Sequence, residues 1–311
     1  MHLSLKLLLL LTVPPLMWAG NAVVGRLAIG SIGPLWLNVL RWTVALALLL
    51  PLGWRVVATA QGRAEVACRW KYLAILGLIG IASYTALQYI ALRTSTPVNV
   101  TLIASSLPVW TMIVGVIAYR VHPGRAQLLG AVLSLAGVLT VLSRGDAGAL
   151  LRIQLVQGDL LMLVAIIGWS IYSWMLARPP AHMSGEARPA WNWAEFLLVQ
   201  CLFGVCWTIL GAEAGERVAP SIATVWSWPL VLAIVFIAVG PSIIAYRAWG
   251  LAVAEAGPAM AAVFNNLTPL FAAMLSAAVI GEWPQIYHGL AFGLIVAGIL
   301  VASRAIPASR R

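Results

Sequence analysis

The stretch Pro97–Gly137, PVNVTLIASSLPVWTMIVGVIAYRVHPGRAQLLGAVLSLAG, aligns without a gap on Pro258–Gly298, PAMAAVFNNLTPLFAAMLSAAVIGEWPQIYHGLAFGLIVAG, 161 residues further along the chain. The matched positions are Pro97 with Pro258, Pro108 with Pro269, Pro123 with Pro284, Leu129 with Leu290 and Gly137 with Gly298. At a slightly different distance, Trp18 aligns with Trp169. The chain is therefore predicted to be duplicated, with one repeat at residues 1–150 and the other at residues 151–311.

The composition places both repeats in a membrane. Hydrophobic residues make up 62% of the chain and charged residues 9%, with a mean hydropathy of +0.96, which is outside the range of soluble domains. At about 20 apolar residues per span, the 311 residues hold about ten spans and no sizeable soluble domain. We predict an all-α integral membrane protein of ten transmembrane helices. The predicted spans are residues 5–27, 34–53, 71–92, 96–119, 126–143, 157–177, 193–212, 227–250, 257–280 and 285–303.

The formal charge of +10 reflects topology and not a nucleic-acid partner, because Lys and Arg are scattered singly between apolar runs. With the N-terminus inside, twelve loop or terminal Lys and Arg residues fall on one face and five on the other. Cytoplasmic loops carry the excess of positive charge, so both termini are predicted to be cytoplasmic, in a multi-pass protein of the inner membrane. The apolar start, residues 3–11, could pass for a secretory signal, but we expect it to be retained as the first span.

Five spans per repeat is an odd number, so the second repeat must enter the membrane from the opposite face. The loop after span four carries Arg120 and Arg125, whereas the equivalent loop after span nine carries Glu282, as expected if only the first is cytoplasmic. Two inverted-topology repeats are typical of secondary transporters that work by alternating access. The alternative is that duplication only built the bundle.

Short motifs indicate a family. They are Trp18-Ala19-Gly20-Asn21 in span one, Arg41 in span two, Gly281-Glu282 at the end of span nine, and Gly289, Gly293 and Gly298 in span ten. In this order and at these spacings, the chain resembles the ten-helix drug/metabolite transporter superfamily, EamA type, over its whole length. Within it, the chain most resembles the bacterial aromatic amino-acid exporter branch. The first half departs from the pattern, with Tyr119-Arg120 where many relatives keep Gly-Glu.

A substrate site is predicted near the paired prolines of spans four and nine. Proline inside a helix frees the carbonyl four residues earlier, which would expose the carbonyls of Ala104 and Asn265 to a central cavity. The candidate substrate-binding residues are the polar and aromatic side chains that we expect around that cavity, namely Trp18, Asn21, Tyr84, Gln88, Thr101, Ser105, Trp110, Trp169, Tyr172, Tyr246, Asn265 and Asn266. The candidate hinges are Pro14, Pro108, Pro241 and Pro269. Alternatively, the Ser and Asn side chains only join neighbouring helices, and the aromatic rings only pack.

Arg41 is the one cation that we expect deep in a span. It could meet a substrate carboxylate, but a structural role is favoured, in which it extends to the outer surface or binds a backbone carbonyl. The cysteines are expected to be structural, with Cys201 and Cys206 in an apolar run and Cys68 in a basic loop. All four histidines lie near segment ends, and no Asp or Glu falls in the middle of a span. We therefore predict no catalytic site, no metal and no cofactor.

The sequence thus predicts a secondary transporter that exports small metabolites, above all amino acids with aromatic or otherwise amphipathic side chains. Its predicted partners are the small-molecule substrate and the lipid bilayer, and the protein is expected to be a monomer. A passive metabolite channel or facilitator is the main alternative, since kinked helices with polar linings also form pores. A membrane-embedded enzyme is a further alternative.

Overall fold

The computed structural model describes residues 4–28, 30–146, 148, 154–218, 220, 222–280 and 285–304. Helices account for every regular element of these residues. We number the spans α1 to α10: α1 Leu5–Leu27, α2 Pro34–Gly53, α3 Ala60–Ala91, α4a Pro97–Ser105 with α4b Leu107–Tyr119, α5 Arg125–Leu142, α6 Gln157–Ala177, α7 Trp193–Val218, α8 Trp228–Ala256, α9a Pro258–Asn265 with α9b Thr268–Ile280, and α10 Ile286–Ser303.

The helices of this part of the chain have the length and composition of membrane spans. Nine are long and apolar enough to cross a bilayer, or ten when the bent pair formed by α4a and α4b is counted as one span. The predicted fold class, an all-α integral membrane protein, is confirmed. The boundary predicted between residues 150 and 151 and the Gly281-Glu282 motif lie outside the described residues.

Three spans are longer than predicted, and one of them, α8, continues to Ala256 instead of ending at residue 250. Helix α3 begins at Ala60 and not at residue 71, because the Thr59 hydroxyl caps it by accepting a hydrogen bond from the Gly62 N–H at 3.0 Å. Cys68 therefore lies on an exposed helical turn, so its assignment to a loop was wrong. Helix α7 continues to Val218 instead of ending at residue 212. Hydropathy marks where the apolar run ends, and α3 and α7 extend beyond it in polar residues.

The prolines act differently from the prediction. Helix α4 ends at Ser105 and restarts at Leu107 with a bend of 44°, so Pro108 occupies the first turn of α4b, where its missing N–H costs no helical bond. Pro269 is likewise the second residue of α9b. The expected interior prolines with freed carbonyls are therefore absent at these two positions. Helix α1 is continuous through Pro14 and Pro15, so the candidate hinge at Pro14 does not interrupt it.

Two spans contain a wider, π-helical segment. These segments are Gly77–Ser83 in α3 and Ala238–Ile244 in α8, and the second contains Pro241. Their bounds are 161 residues apart, the distance found in the sequence alignment. The same distance separates the bounds of α4b from those of α9b, and those of α5 from those of α10. A π segment closes its hydrogen bonds over one residue more than the flanking α-helix, i→i+5 instead of i→i+4. The change of pattern leaves a backbone carbonyl available.

Close backbone contacts join α5 and α10. A Cβ atom on Gly130 would lie 2.6 Å from the Gly298 carbonyl oxygen, and one on Gly298 would lie 2.6 Å from the Gly130 carbonyl oxygen. Only glycine allows this approach, which is typical of helix pairs in membranes. Elsewhere α1 packs against α8 and α9, and α6 packs against α3 and α4. The interior is thus lined by α1, α3, α6 and α8, the helices that carry the site described next.

Candidate substrate-binding site

Six aromatic side chains from α1, α3, α6 and α8 meet in the interior, and we call them the aromatic cluster. Trp169 is its centre, with its ring centroid 5.3 Å from that of Trp18, 5.6 Å from Tyr84 and Trp249, 5.1 Å from Tyr172 and 5.5 Å from Tyr246. Most of these pairs are edge-to-face or tilted, the geometry that aromatic rings prefer. The structure therefore brings together five of the twelve predicted site residues and adds Trp249.

Two polar atoms of the cluster bind the irregular backbone of the two π segments. The Trp18 Nε1–H donates to the Pro241 carbonyl at 3.2 Å, and the Tyr246 hydroxyl donates to the Gly80 carbonyl. Gly80 and Pro241 are 161 residues apart and occupy the same place in their segments. Because π segments leave carbonyls available, the cluster is tied to the two places where the helical ladder is interrupted.

A cavity of about 340 Å³ adjoins the cluster, and we call it the vestibule. Tyr172, Gln200 and Tyr246 form its inner end, and the Tyr172 hydroxyl donates to the Gln200 Oε1 at 3.0 Å. Its other end is lined by side chains of the loop between α6 and α7, including Arg188 and Trp191. The volume is in the range of small-molecule sites. The vestibule therefore leads from one end of the bundle to the aromatic cluster.

Two arginines of the spans lie near this path. Arg247 of α8 lines the vestibule with its guanidinium 5.3 Å from the Trp193 ring centroid, so Arg41 is not the one cation inside a span. Arg41 of α2 is only 4% exposed and does not extend to the surface, so the outward orientation, one of the two structural roles considered for it, is wrong. Its Nε–H donates to the Ser242 hydroxyl at 3.0 Å. Ser242 belongs to the π segment of α8, where its own hydroxyl donates to the Ile237 carbonyl.

The polar residues of α4 and α9 do not join the cluster. The Ser105 hydroxyl donates to the carbonyls of Thr101 and Leu102 in its own helix. The Asn266 Nδ2 donates to the Ser134 hydroxyl of α5 at 2.9 Å, and the Thr268 hydroxyl faces the Asn265 Oδ1 at 3.4 Å. The Asn266 bond favours the alternative reading, in which polar side chains join neighbouring spans, whereas the bonds of Ser105 and Thr268 stay within their own span. The remaining candidates are partly exposed side chains, namely Asn21, Gln88, Thr101 and Trp110.

Sequence reasoning missed several residues of the site. Trp42 packs its ring edge-to-face on Tyr246 at 4.9 Å, and Ser173 accepts a hydrogen bond from the Trp249 Nε1–H at 3.2 Å. Trp249 is three residues after Tyr246, and Ser173 is four after Trp169, so both lie on the helical face of a predicted site residue. That spacing could have identified them. No group of three His, Cys, Asp or Glu side chains suited to a metal occurs among the residues that the structure describes.

The fold and the site together define a multi-pass helical membrane protein with a cavity sized for a small solute. The chain belongs to the EamA-like transporter family, whose family model matches residues 5–143 and 156–304. It is therefore a membrane transporter of the drug/metabolite transporter superfamily, with a small-molecule substrate and the lipid bilayer as its environment. The resemblance predicted from the sequence motifs is confirmed.

Known proteins similar to this chain are transporters by name. An "Uncharacterized transporter" of Archaeoglobus fulgidus is 24% identical over 95% of this chain and 96% of its own. The "Aromatic amino acid exporter YddG" of Ancylobacter novellus is 24% identical over 93% of each chain. A crystal structure of a protein that is 23% identical superposes with a TM-score of 0.71 and covers 96% of both chains. This last likeness supports the fold.

Proposed function

We propose that this transporter exports small amphipathic metabolites, and amino acids with aromatic side chains in particular, by alternating access across the cytoplasmic membrane. The aromatic cluster at the inner end of the vestibule is the observation that carries the proposal. Flat or apolar solutes pack well on indole and phenol rings, and the hydroxyl and amide groups of Tyr172 and Gln200 would orient their polar ends. The name of the relative from Ancylobacter novellus supports the same substrate class.

Alternating access is supported by the paired architecture. The π segments of α3 and α8 stand 161 residues apart, and each provides an acceptor to the aromatic cluster. We propose that residues 1–150 and 151–311 form two inverted five-helix repeats, and that the cluster lies at their interface. A solute in the vestibule would then be released on the opposite face of the membrane when the two repeats switch between the inward-open and outward-open conformations.

The vestibule would face the cytoplasm. Its end of the bundle carries the Lys6–Glu255 ion pair at 2.6 Å, and Arg69 donates there to the carbonyls of His182 and Ala187. Positive loops favour the cytoplasmic side, so we propose an inner-membrane protein with both termini inside that binds cytoplasmic solute. A single chain would suffice, because the cluster and the vestibule are built from one copy.

Counterflow in proteoliposomes tests the proposal. Purified protein is reconstituted with internal unlabelled phenylalanine, and entry of labelled phenylalanine, tryptophan and aspartate is followed. We expect saturable entry of the two aromatic amino acids that requires the internal solute, and little entry of aspartate. Entry that rises linearly with concentration and ignores the internal solute would favour the passive channel. Recovery of chemically altered solute would favour the enzyme, and absence of flux would contradict the proposal.

A further inference from the structure

Arg41 carries a buried positive charge that no described carboxylate neutralises. Its side chain is 4% exposed, and its hydrogen bond to Ser242 uses only the Nε–H. Within the described part of the chain, the one ion pair is Lys6 with Glu255, so no carboxylate lies within 4.0 Å of the Arg41 guanidinium. The ionisable neighbours are Tyr246, Tyr89 and Cys201, which are mostly neutral at pH 7. A charge removed from water in this way is unfavourable unless something pairs with it.

The unused part of the guanidinium has the form of a carboxylate receptor. Its two Nη nitrogens carry four N–H donors, and no described residue accepts a hydrogen bond from them. A planar guanidinium binds both oxygens of a carboxylate through two parallel hydrogen bonds. The Trp42 ring, 5.1 Å from the Arg41 Cζ, supports the cation but takes none of these donors. The missing partner is therefore an anion, and a flat, two-oxygen one fits best.

Two further unpaired polar atoms lie on the same turn of α2. The Trp42 Nε1, a donor, and the Asn38 Oδ1, an acceptor, are both buried and find no hydrogen-bond partner among the described residues. Buried polar atoms nearly always form hydrogen bonds in folded proteins. Two such atoms without a hydrogen bond, next to a cation without a counter-charge, therefore indicate a ligand. Donors suit a carboxylate, and the amide oxygen suits an ammonium group. An α-amino acid carries both groups on a single carbon.

The side chain of Tyr246 separates Arg41 from the vestibule. Tyr246 forms part of the vestibule wall, its ring packs on Trp42, and its hydroxyl is held by the Gly80 carbonyl of the α3 π segment. We infer that Arg41 binds the carboxylate of the transported solute, and that Tyr246 releases Gly80 to admit it. This inference rests on the proposed function and narrows the substrates to carboxylates, since an amide or an amine would leave the cation unpaired.

Binding of three matched probes tests the assignment on the purified full-length protein. The probes are L-phenylalanine, L-phenylalaninamide and phenethylamine, which share a ring and an amine but differ at the carboxylate. We expect the protein to bind phenylalanine at least tenfold more tightly than the other two. Arg41→Gln should abolish this preference by weakening phenylalanine alone. Arg41→Lys keeps the charge but loses the two parallel N–H donors of the guanidinium, so it should retain a reduced preference for phenylalanine. The control is Arg125→Gln, which replaces an arginine at the exposed start of α5 and should keep the full preference.

Several outcomes would overturn the inference. Equal binding of the three probes by the natural protein would do so, as would a full preference in a folded Arg41→Gln protein. If Arg41→Gln does not fold, Arg41→Lys decides, and an unchanged preference there counts against the inference. Counterflow of the amide and the amine as fast as the acid would leave the proposed export of aromatic solutes intact and refute only the role of Arg41. Absence of binding and flux for all three probes would refute both.

Discussion

Two interior contact regions of this protein differ in kind. Between α5 and α10, backbone meets backbone at Gly130 and Gly298, with hypothetical Cβ contacts of 2.6 Å. Around Trp169, six rings meet instead, and two of their polar atoms bind carbonyls of the π segments. Backbone packing of the first kind has no freedom to rearrange, because interiors of that density respond to any added atom. Rings held by single hydrogen bonds can exchange partners one at a time.

The two regions would therefore have different roles in transport. The α5–α10 contact would act as the fixed axis of the bundle, and the aromatic cluster as the part that moves during transport. The π segments support this view, because Gly80 and Pro241 offer their carbonyls without breaking a regular helical ladder. Substitutions in the cluster should therefore change transport more than stability, and substitutions at the axis should do the reverse.

The largest effect is expected for Trp169→Ala. Trp169 contacts five other rings, and each aromatic pair contributes about 0.5–1.5 kcal/mol. We expect phenylalanine counterflow to fall at least tenfold, which corresponds to about 1.4 kcal/mol. Trp169→Phe should keep more of the activity because it preserves part of the ring contact.

A matched control for this substitution lies on α7. Trp207 is partly exposed and its Nε1–H donates to the Ala74 carbonyl at 3.1 Å, away from the cluster. Trp207→Ala should leave counterflow within about twofold of the natural protein, a change below about 0.5 kcal/mol. Equal losses for Trp169→Ala and Trp207→Ala would remove the distinction between the cluster and ordinary packing.

The sequence predicted more of this fold than of the site, for a physical reason. Span length and hydropathy follow from the thickness of the bilayer, so nearly all helices were found. Whether Asn266 binds a solute or Ser134 depends on which neighbour its amide faces, and residue type alone does not decide that. The burial of Arg41 was unexpected for the same reason, because its partner Ser242 is distant in sequence. The ring contacts were more accessible, since Trp169 and Tyr172 share one helical face.

An effect on stability alone, and not on transport, is expected for Gly298→Ala. The added methyl group would lie 2.6 Å from the Gly130 carbonyl oxygen and 2.8 Å from the Ser134 nitrogen, and such overpacking costs about 1–3 kcal/mol. We expect a lower melting temperature in detergent, with phenylalanine affinity unchanged. Gly293→Ala is the matched control in the same helix, because nothing lies within 4 Å of its added Cβ. A drop in affinity without a drop in melting temperature would place the moving part at this axis.

The smallest effect is expected for Ser134→Ala, which decides to which region Asn266 belongs. The hydrogen bond from the Asn266 Nδ2 to the Ser134 Oγ, at 2.9 Å, is buried, and a bond of this kind contributes about 1 kcal/mol. If it only joins α9 to α5, its loss lowers the melting temperature slightly and leaves phenylalanine counterflow unchanged. Ser276→Ala, at a partly exposed position of α9b, serves as the control for removing a hydroxyl. A selective fall in counterflow for Ser134→Ala would return Asn266 to the substrate path, since freeing its amide would then have disturbed a contact with the solute.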